Sequence, residues 1–246
     1  MTCHFVRWTS TEALPDLQRL SDDLILSTHS FSVKRRERYL KSRALLAEMM
    51  FYFFGYPVLP PLMISPNGRP CFVDPHLPDF SLGYAGNTIA ILLSEEGKVG
   101  MDVEIVRFRS QQTPPEPLQP LSHAEKAWIN AQLDPLEAAT QLCTIRQSVL
   151  KIPGFRNGPE SLKLHPASGR LRARHIPDVE VISDVDDYLA WACAHTPRLS
   201  RLVLWSYTSA YGMRKSGEIV HQQHQSRRYM RLISHSAEKV SPQYVI

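Results

Sequence analysis

Two carboxylates, Asp102 and Glu104, stand two residues apart in "GKVGMDVEIVRFRS" (97–110), at the end of a β-branched, apolar run. Side chains of a strand alternate faces, so the two acids project together while Met101 and Val103 turn into a core. Carboxylates converging on one small volume raise each other's pKa, and a cation between them relieves this. Hard oxygen ligands in this number suit Mg²⁺, which takes one or two protein carboxylates and completes its shell with water and phosphate. An exposed strand end whose acids pair with Arg107 or Arg109 accounts for the same residues, so the D-x-E pattern alone leaves both readings open.

The elements that must hold this pair are legible on either side of it. "NTIAILLS" (87–94) predicts a buried strand, and "EEGK" (95–98) a hairpin turn into the strand that carries the acids. Upstream, "RRERYLKSRALLAEMMFYFF" (35–54) places Tyr39, Leu40, Ala44, Leu46, Ala47 and Met50 at helical intervals. The Pro-, Gly-, Asn- and Asp-rich stretch 57–87 predicts short strands joined by turns. Downstream, four prolines between 114 and 120 mark a linker. "LSHAEKAWINAQ" then starts a helix with Ser122 as N-cap and Glu125 three residues on, the capping-box pattern. "PLEAATQLCTIRQSVLKIPG" is a second helix with Leu142, Ile145, Val149 and Ile152 on one face and Gly154 as its stop. Strands follow at 161–176, 187–196 and 201–207.

Composition narrows the function classes. At 246 residues, with 43% hydrophobic and 21% charged, the chain can bury one large core or two fused small ones and is neither disordered nor fibrous. No apolar run is long enough to cross a membrane, and the start lacks the basic and apolar regions of a secretory signal, so a cytoplasmic protein without a membrane partner is expected. Cys3, Cys71, Cys143 and Cys193 lack paired C-x-x-C spacing and read as reduced core thiols. The net charge of +4 is unevenly placed: "KRRERYLKSR" (34–43) holds six basic residues and one acid. Arg38, Lys41 and Arg43 could gather an anion there. Neither an aromatic platform nor a reading motif accompanies them, so nucleic acid is not an expected partner.

Six blocks, "RRERYLKSRALL", "NGRP", "FSLGYAGN", "VGMDVE", "LSHAE" and "TIRQSVLK", occur in an order and near a spacing that resembles the Sfp-type 4'-phosphopantetheinyl transferases, above all their holo-acyl-carrier-protein-synthase-like branch. The resemblance runs from about residue 34 to residue 154. It implies an α+β fold of two pseudo-symmetric α/β halves with the site between them. It also implies Mg²⁺, coenzyme A as co-substrate, and an apo acyl or peptidyl carrier protein as partner. Asp102 and Glu104 match the family's metal carboxylates. Arg69 stands where the family has lysine, Arg43 fits the basic position of the early helix, and Lys151 fits the lysine that closes the helical block. Lys151 equally complements the C-terminal end of its helix.

The departures bear on activity. Where the family has Lys-Glu, this chain reads Arg146-Gln147, and Gln147 can offer a carbonyl oxygen to a cation but cannot accept a proton. The family's Ser-His is Gly83-Tyr84, which leaves one hydroxyl donor and no imidazole. The family's tryptophan position falls on Cys143 or Thr144, read as a core exchange. Glu125 is readable as a capping acid or as a site acid. Two functions therefore stay open: transfer of phosphopantetheine to a carrier serine, and a homologue that binds coenzyme A or carrier without turnover. The expected domains are an N-terminal half (1–108), a Pro-rich linker (109–120), a C-terminal half (121–207) and a polar, basic tail (208–246), in a chain the resemblance implies to be a monomer. His221, His224 and His235 of the tail lack metal-ligand spacing.

Overall fold

The structure, a computed structural model, describes residues 2–9, 16–106, 121–155, 161–174, 176, 178–186, 188–220 and 229–234. Arg107, Arg109, the Pro-rich linker, His221, His224 and His235 lie outside the described residues. Strand β1 (Thr2–Thr9) leads into a short helix α1 (Asp22–Leu26), the long helix α2 (Val33–Phe54) and two short strands, β2 (Leu62–Ile64) and β3 (Pro70–Phe72). Strands β4 (Asp79–Ala85), β5 (Thr88–Ser94) and β6 (Lys98–Ile105) follow, then helices α3 (His123–Asn130) and α4 (Pro135–Leu150). Strands β7 (Leu162–His165), β8 (Arg170–Ala173), β9 (Glu180–Asp186) and β10 (Leu189–Thr196) come next. The last described strands are β11 (Arg201–Thr208), β12 (Gly212–Val220) and β13 (Met230–Ser234).

Two sheets form the body, one ordered β12-β11-β1-β5-β4 and the other β6-β10-β9-β13-β8-β7. Their facing sides bury Phe5, Leu92, Met101, Val103, Trp191 and Cys193, with the Phe5 and Trp191 rings 5.0 Å apart. Helix α2 covers the outer face of the first sheet, against Trp8, Phe80, Ile91 and Leu93. Its first turns are polar, residues 40–47 are all buried, and Gly55 in the left-handed region (φ 75°) ends it. Helix α4 covers the outer face of the second sheet with the expected Leu142, Ile145, Val149 and Ile152 stripe. The fold is α+β, and its two halves repeat one order of elements: strand, helix, small hairpin, larger hairpin. The larger hairpin sits beside its first strand in the same sequence in both, β1-β5-β4 and β6-β10-β9.

The sheets are joined at β4 and β6 by side chains. Ser81 Oγ accepts the Met101 N–H at 2.9 Å, and Asp79 Oδ2 accepts the Val99 N–H at 2.8 Å. "EEGK" therefore does not close the expected hairpin. Both edges of β5 are already taken by β1 and β4, so the chain passes to the other sheet, where β6 pairs with β10. Segments cross in the opposite direction too. Strand β11 pairs in parallel with β1, β12 extends that sheet, and β13 inserts between β9 and β8. The described parts of the expected tail are thus sheet strands, held by single buried positions such as Ile219 and Leu232, a signal too sparse for a periodicity reading. All four cysteines are free; Cys3 and Cys193 are buried, and burial pushes the Cys3 thiol up to about 12.

Candidate active site

Gly100, two residues before Asp102, sets the distance between strand and helix. A Cβ there would lie 2.0 Å from the Ser148 carbonyl oxygen, 2.8 Å from the Ile152 nitrogen and 3.0 Å from the Lys151 carbonyl carbon. The last turn of α4 therefore rests directly on β6, which only glycine permits. The neighbouring strand cooperates: in "LAWACAH" the α4-facing Ala190, Ala192 and Ala194 are small, while Trp191 and Cys193 fill the inter-sheet core. Asp102 is paired across to Ala192 and Glu104 to Ala190, so both acids stand on the helix-facing side, as the alternation predicts.

Asp102 is 7% exposed. Its Oδ1 accepts a hydrogen bond from Lys151 Nζ at 2.6 Å, whereas its buried Oδ2 has no partner. Burial pushes the Asp102 carboxyl above the usual carboxylate range, against the lowering effect of the Lys151 ammonium. Glu104 is exposed at the strand's end. Burial raises the Cys143 thiol; the Arg146 charge lowers it, and the charges of Glu104, Glu125 and Asp102 raise it further. Gln147 lies one turn after Cys143 and one turn before Lys151, on the helix face that these two neighbours turn toward β6. The structure thus pairs Lys151 with Asp102, and places Glu104 on the same side of β6 and Gln147 one helical turn before Lys151.

The other candidates stand apart from this group. Arg69 pairs through Nη2 with Asp79 Oδ2 at 3.1 Å and also donates to the Phe80 carbonyl. Since Asp79 holds Val99, this pair braces the start of β6. Arg43 is 5% exposed, packs its guanidinium 4.2 Å from the centre of the Tyr39 ring and donates to Ser42 Oγ. Tyr84 is half-buried beneath exposed Arg38, whose guanidinium lies 4.7 Å from the ring centre. Its neighbour Gly83 lies against Met101 and Val103, so β4 passes β6 at the level of the acids.

Glu125 is accounted for by structure. It is 1% exposed, completes the capping box with Ser122, and its other oxygen pairs with Arg146 Nη2. Arg146 also donates to the Leu162 carbonyl, so it points toward α3 and β7. Thr144 is fully buried and donates to the Thr140 carbonyl, and Cys143 is half-buried. Sequence reading had no role for Gly100 or Ser81. A glycine inside an apolar strand is the signal for the first; nothing local marks the second.

The donor set fits a hard divalent cation: an orphaned, buried carboxylate oxygen of Asp102, the Glu104 carboxylate and the Gln147 amide oxygen. Among the described residues no group of three or more His, Cys, Asp and Glu is gathered for a metal. A cavity of about 780 Å³ lies elsewhere, between α1 and the β2–β3 hairpin, lined by Leu24, Tyr39, Tyr56, Leu59, Leu62 and Asp74 among others. None of Asp102, Glu104, Gln147 and Lys151 borders it.

No protein-family model matches the chain. It is 37% identical to the Escherichia coli "Uncharacterized protein YieE" over 225 residues, 89% of this chain and 90% of that protein. The chain belongs to the YieE family. This YieE-family chain is also 26% identical over 210 residues to a Haemophilus influenzae protein named "Putative 4'-phosphopantetheinyl transferase", covering 81% of the chain and 88% of that protein. Over a shorter stretch of 77 residues, 31% of the YieE-family chain and 36% of the relative, it is 42% identical to the Escherichia coli "4'-phosphopantetheinyl transferase AcpT". A relation to phosphopantetheinyl transferases follows. No helix among the described residues is long and apolar enough to cross a membrane.

Proposed function

We propose that the protein transfers 4'-phosphopantetheine from coenzyme A to a serine of an apo acyl or peptidyl carrier protein, as a cytoplasmic, Mg²⁺-dependent enzyme. The observation that carries this reading is Asp102: one oxygen held by Lys151, the other buried and unpartnered, beside Glu104 and Gln147, in a chain related to phosphopantetheinyl transferases. Mg²⁺ bound by Asp102, Glu104 and the Gln147 amide oxygen supplies charge neutralisation for the diphosphate.

The remaining chemistry falls to side chains. Lys151, with its side chain 36% exposed, can turn its ammonium from Asp102 to a phosphate oxygen. Exposed Arg38, on the helix above β4, supplies a second cation for phosphate, and Tyr84 beneath it a hydroxyl donor. Arg43 and Arg69 are engaged by Tyr39 and Asp79, so their part is to brace α2 and the start of β6. The carrier serine oxygen bonds to the phosphorus that bears pantetheine, the phosphorus–oxygen bond to 3',5'-ADP breaks, and 3',5'-ADP departs with that oxygen. Gln147 cannot take the serine proton, so exposed Glu104 is assigned as the base, a contribution worth roughly 10²- to 10⁴-fold. Carrier proteins are acidic, and the basic start of α2 draws them by long-range attraction.

Incubation with coenzyme A, Mg²⁺ and a panel of apo carrier proteins, followed by intact mass, tests the reading. A gain of one phosphopantetheine on at least one carrier, with release of 3',5'-ADP, is expected; no adduct on any carrier refutes it. Gln147 also favours a second reading, a protein that binds coenzyme A without turnover. Mg²⁺-dependent coenzyme A binding in calorimetry with no 3',5'-ADP released over hours would establish that reading instead.

A further inference from the structure

Strands β4 and β6 each end the sheet they belong to, and they face one another where the two sheets join. Alternate N–H groups along β6 point away from β10, and β4 meets two of them with side chains. Asp79 Oδ2 accepts the Val99 N–H at 2.8 Å, and Ser81 Oγ accepts the Met101 N–H at 2.9 Å. Asp79, Ser81 and Gly83 share that face of β4, each two residues after the last. Gly83 has no side chain to continue the series, and a Cβ there would lie 3.0 Å from Met101 Sδ and 3.1 Å from Val103 Cγ2. Ser81 is therefore the last tie of this series before Asp102.

The tie is dry: Ser81 is 2% exposed and Met101 0%. An N–H that loses its acceptor in such a place finds no water in exchange, so the strand must move to satisfy it. On its other side the strand is already fixed, because Gly100 rests on the last turn of α4. Residues 100 and 101 are thus gripped between the helix and β4, and the next residue carries the carboxylate whose Oδ1 lies 2.6 Å from Lys151 Nζ. The Ser81 hydroxyl points into the junction whereas Asp102 faces α4, so Ser81 acts on the site only through β6.

We propose that Ser81 is a positioning residue: by accepting the Met101 N–H it ties β6 to the N-terminal half and thereby sets where the Asp102 carboxylate stands relative to Lys151. This rests on the transferase reading only for the reaction in which the position is felt. A misplacement of about 1 Å can cost roughly 100-fold in rate, so the loss of this one acceptor is expected to appear in turnover more than in coenzyme A binding.

The test compares wild type, Ser81→Ala, Ser81→Thr and Ile219→Ala as full chains, each at the same interval below its own melting midpoint. Ile219 is buried on β12, the strand farthest from β4 in its sheet, and controls for lost stability alone. In transfer to an apo carrier protein, Ser81→Ala should lose at least tenfold in kcat while its KM for coenzyme A stays within twofold. Ser81→Thr, which keeps the hydroxyl acceptor, should return to within threefold of wild type, and Ile219→Ala should keep its kcat within twofold. Amide hydrogen exchange, read by mass on the segment 98–105, should be at least tenfold faster in Ser81→Ala and unchanged in α2. A Ser81→Ala kcat within threefold of wild type, a loss matched by Ile219→Ala, or a loss that Ser81→Thr does not recover overturns the proposal. Should Ser81→Ala fail to fold, Ser81→Cys, whose sulfur is a weak acceptor, is held to the same criteria. A wild type that transfers to no carrier overturns the transferase reading, and the exchange measurement then decides for Ser81: faster exchange confined to β6 supports the tie, and unchanged exchange overturns it.

Discussion

Replacing Gly100 by alanine adds one methyl group where the site is built. That carbon would sit 2.0 Å from the Ser148 carbonyl oxygen, where ordinary contact begins at 3.4 Å, so helix and strand must separate by about 1.4 Å. The obstacle is helix backbone and cannot rotate aside. Overpacking of this kind costs about 1–3 kcal/mol, and a clash with main chain belongs at the upper end. At about 2–4 °C per kcal/mol for a chain of this size, melting should fall by about 5–10 °C. The functional loss should be larger in proportion. A displacement of this size breaks the 2.6 Å contact between Lys151 and Asp102, and misplacement by about 1 Å can cost roughly 100-fold in rate. Thermal denaturation followed by circular dichroism, with transfer measured at 20 °C below the variant's own midpoint, separates the two effects. A variant that melts with wild type and transfers at the wild-type rate would show that the contact between α4 and β6 does not position the site.

Gln147→Glu should raise transfer and lower the Mg²⁺ concentration needed for half-maximal rate, because it adds a carboxylate beside Asp102 and Glu104; rates unchanged at every Mg²⁺ concentration would place residue 147 outside the site. Arg146→Met should destabilise the fold by about 3–5 kcal/mol in urea titration, since it strands the buried Glu125 carboxylate, while Mn²⁺ affinity stays within twofold of wild type. His4 accepts a hydrogen bond from Trp205 Nε1 at 3.2 Å and faces Glu95 at 3.2 Å, and burial holds its pKa below the ordinary 6.5. Its contribution to stability is complete above pH 6.5 and is lost as the pH falls through the lower folded value, so urea midpoints should drop between pH 6.5 and 5 in wild type more than in His4→Asn.

The helices and the chemistry-bearing strand were legible because each carries a repeating local signal. The stripe of Leu142, Ile145, Val149 and Ile152 faces the core as expected, the Ser122–Glu125 box caps α3, and Met101 and Val103 turn inward while Asp102 and Glu104 face the helix. The sheet order was not legible. Whether "EEGK" closes a hairpin depends on whether β5 has a free edge: β4 takes one, and residues 2–9, far away in the chain, take the other. Strands β1, β9, β12 and β13 went unread: β1 and β9 are almost wholly buried and so lack alternation, β12 buries a single residue, and β13 is short. At the site, the pairing of Lys151 with Asp102 follows from helical spacing only once Gly100 is known to admit the helix. The commitments of Arg69 to Asp79 and of Glu125 to Arg146 are long-range ion pairs for which the sequence carries no register.

Single-turnover transfer to an apo carrier protein, with wild type and Asp102→Ala compared at saturating coenzyme A and Mg²⁺, tests the central claim most directly. Asp102→Ala removes both the ligand oxygen and the partner of Lys151 without emptying an apolar core, so the protein should stay folded. Wild type should convert the carrier, with one phosphopantetheine gained per 3',5'-ADP released, and Asp102→Ala should lose at least 100-fold in rate while melting within a few degrees of wild type. Transfer by folded Asp102→Ala at the wild-type rate would contradict the account, because the carboxylate at the centre of the site would then have no part in the reaction.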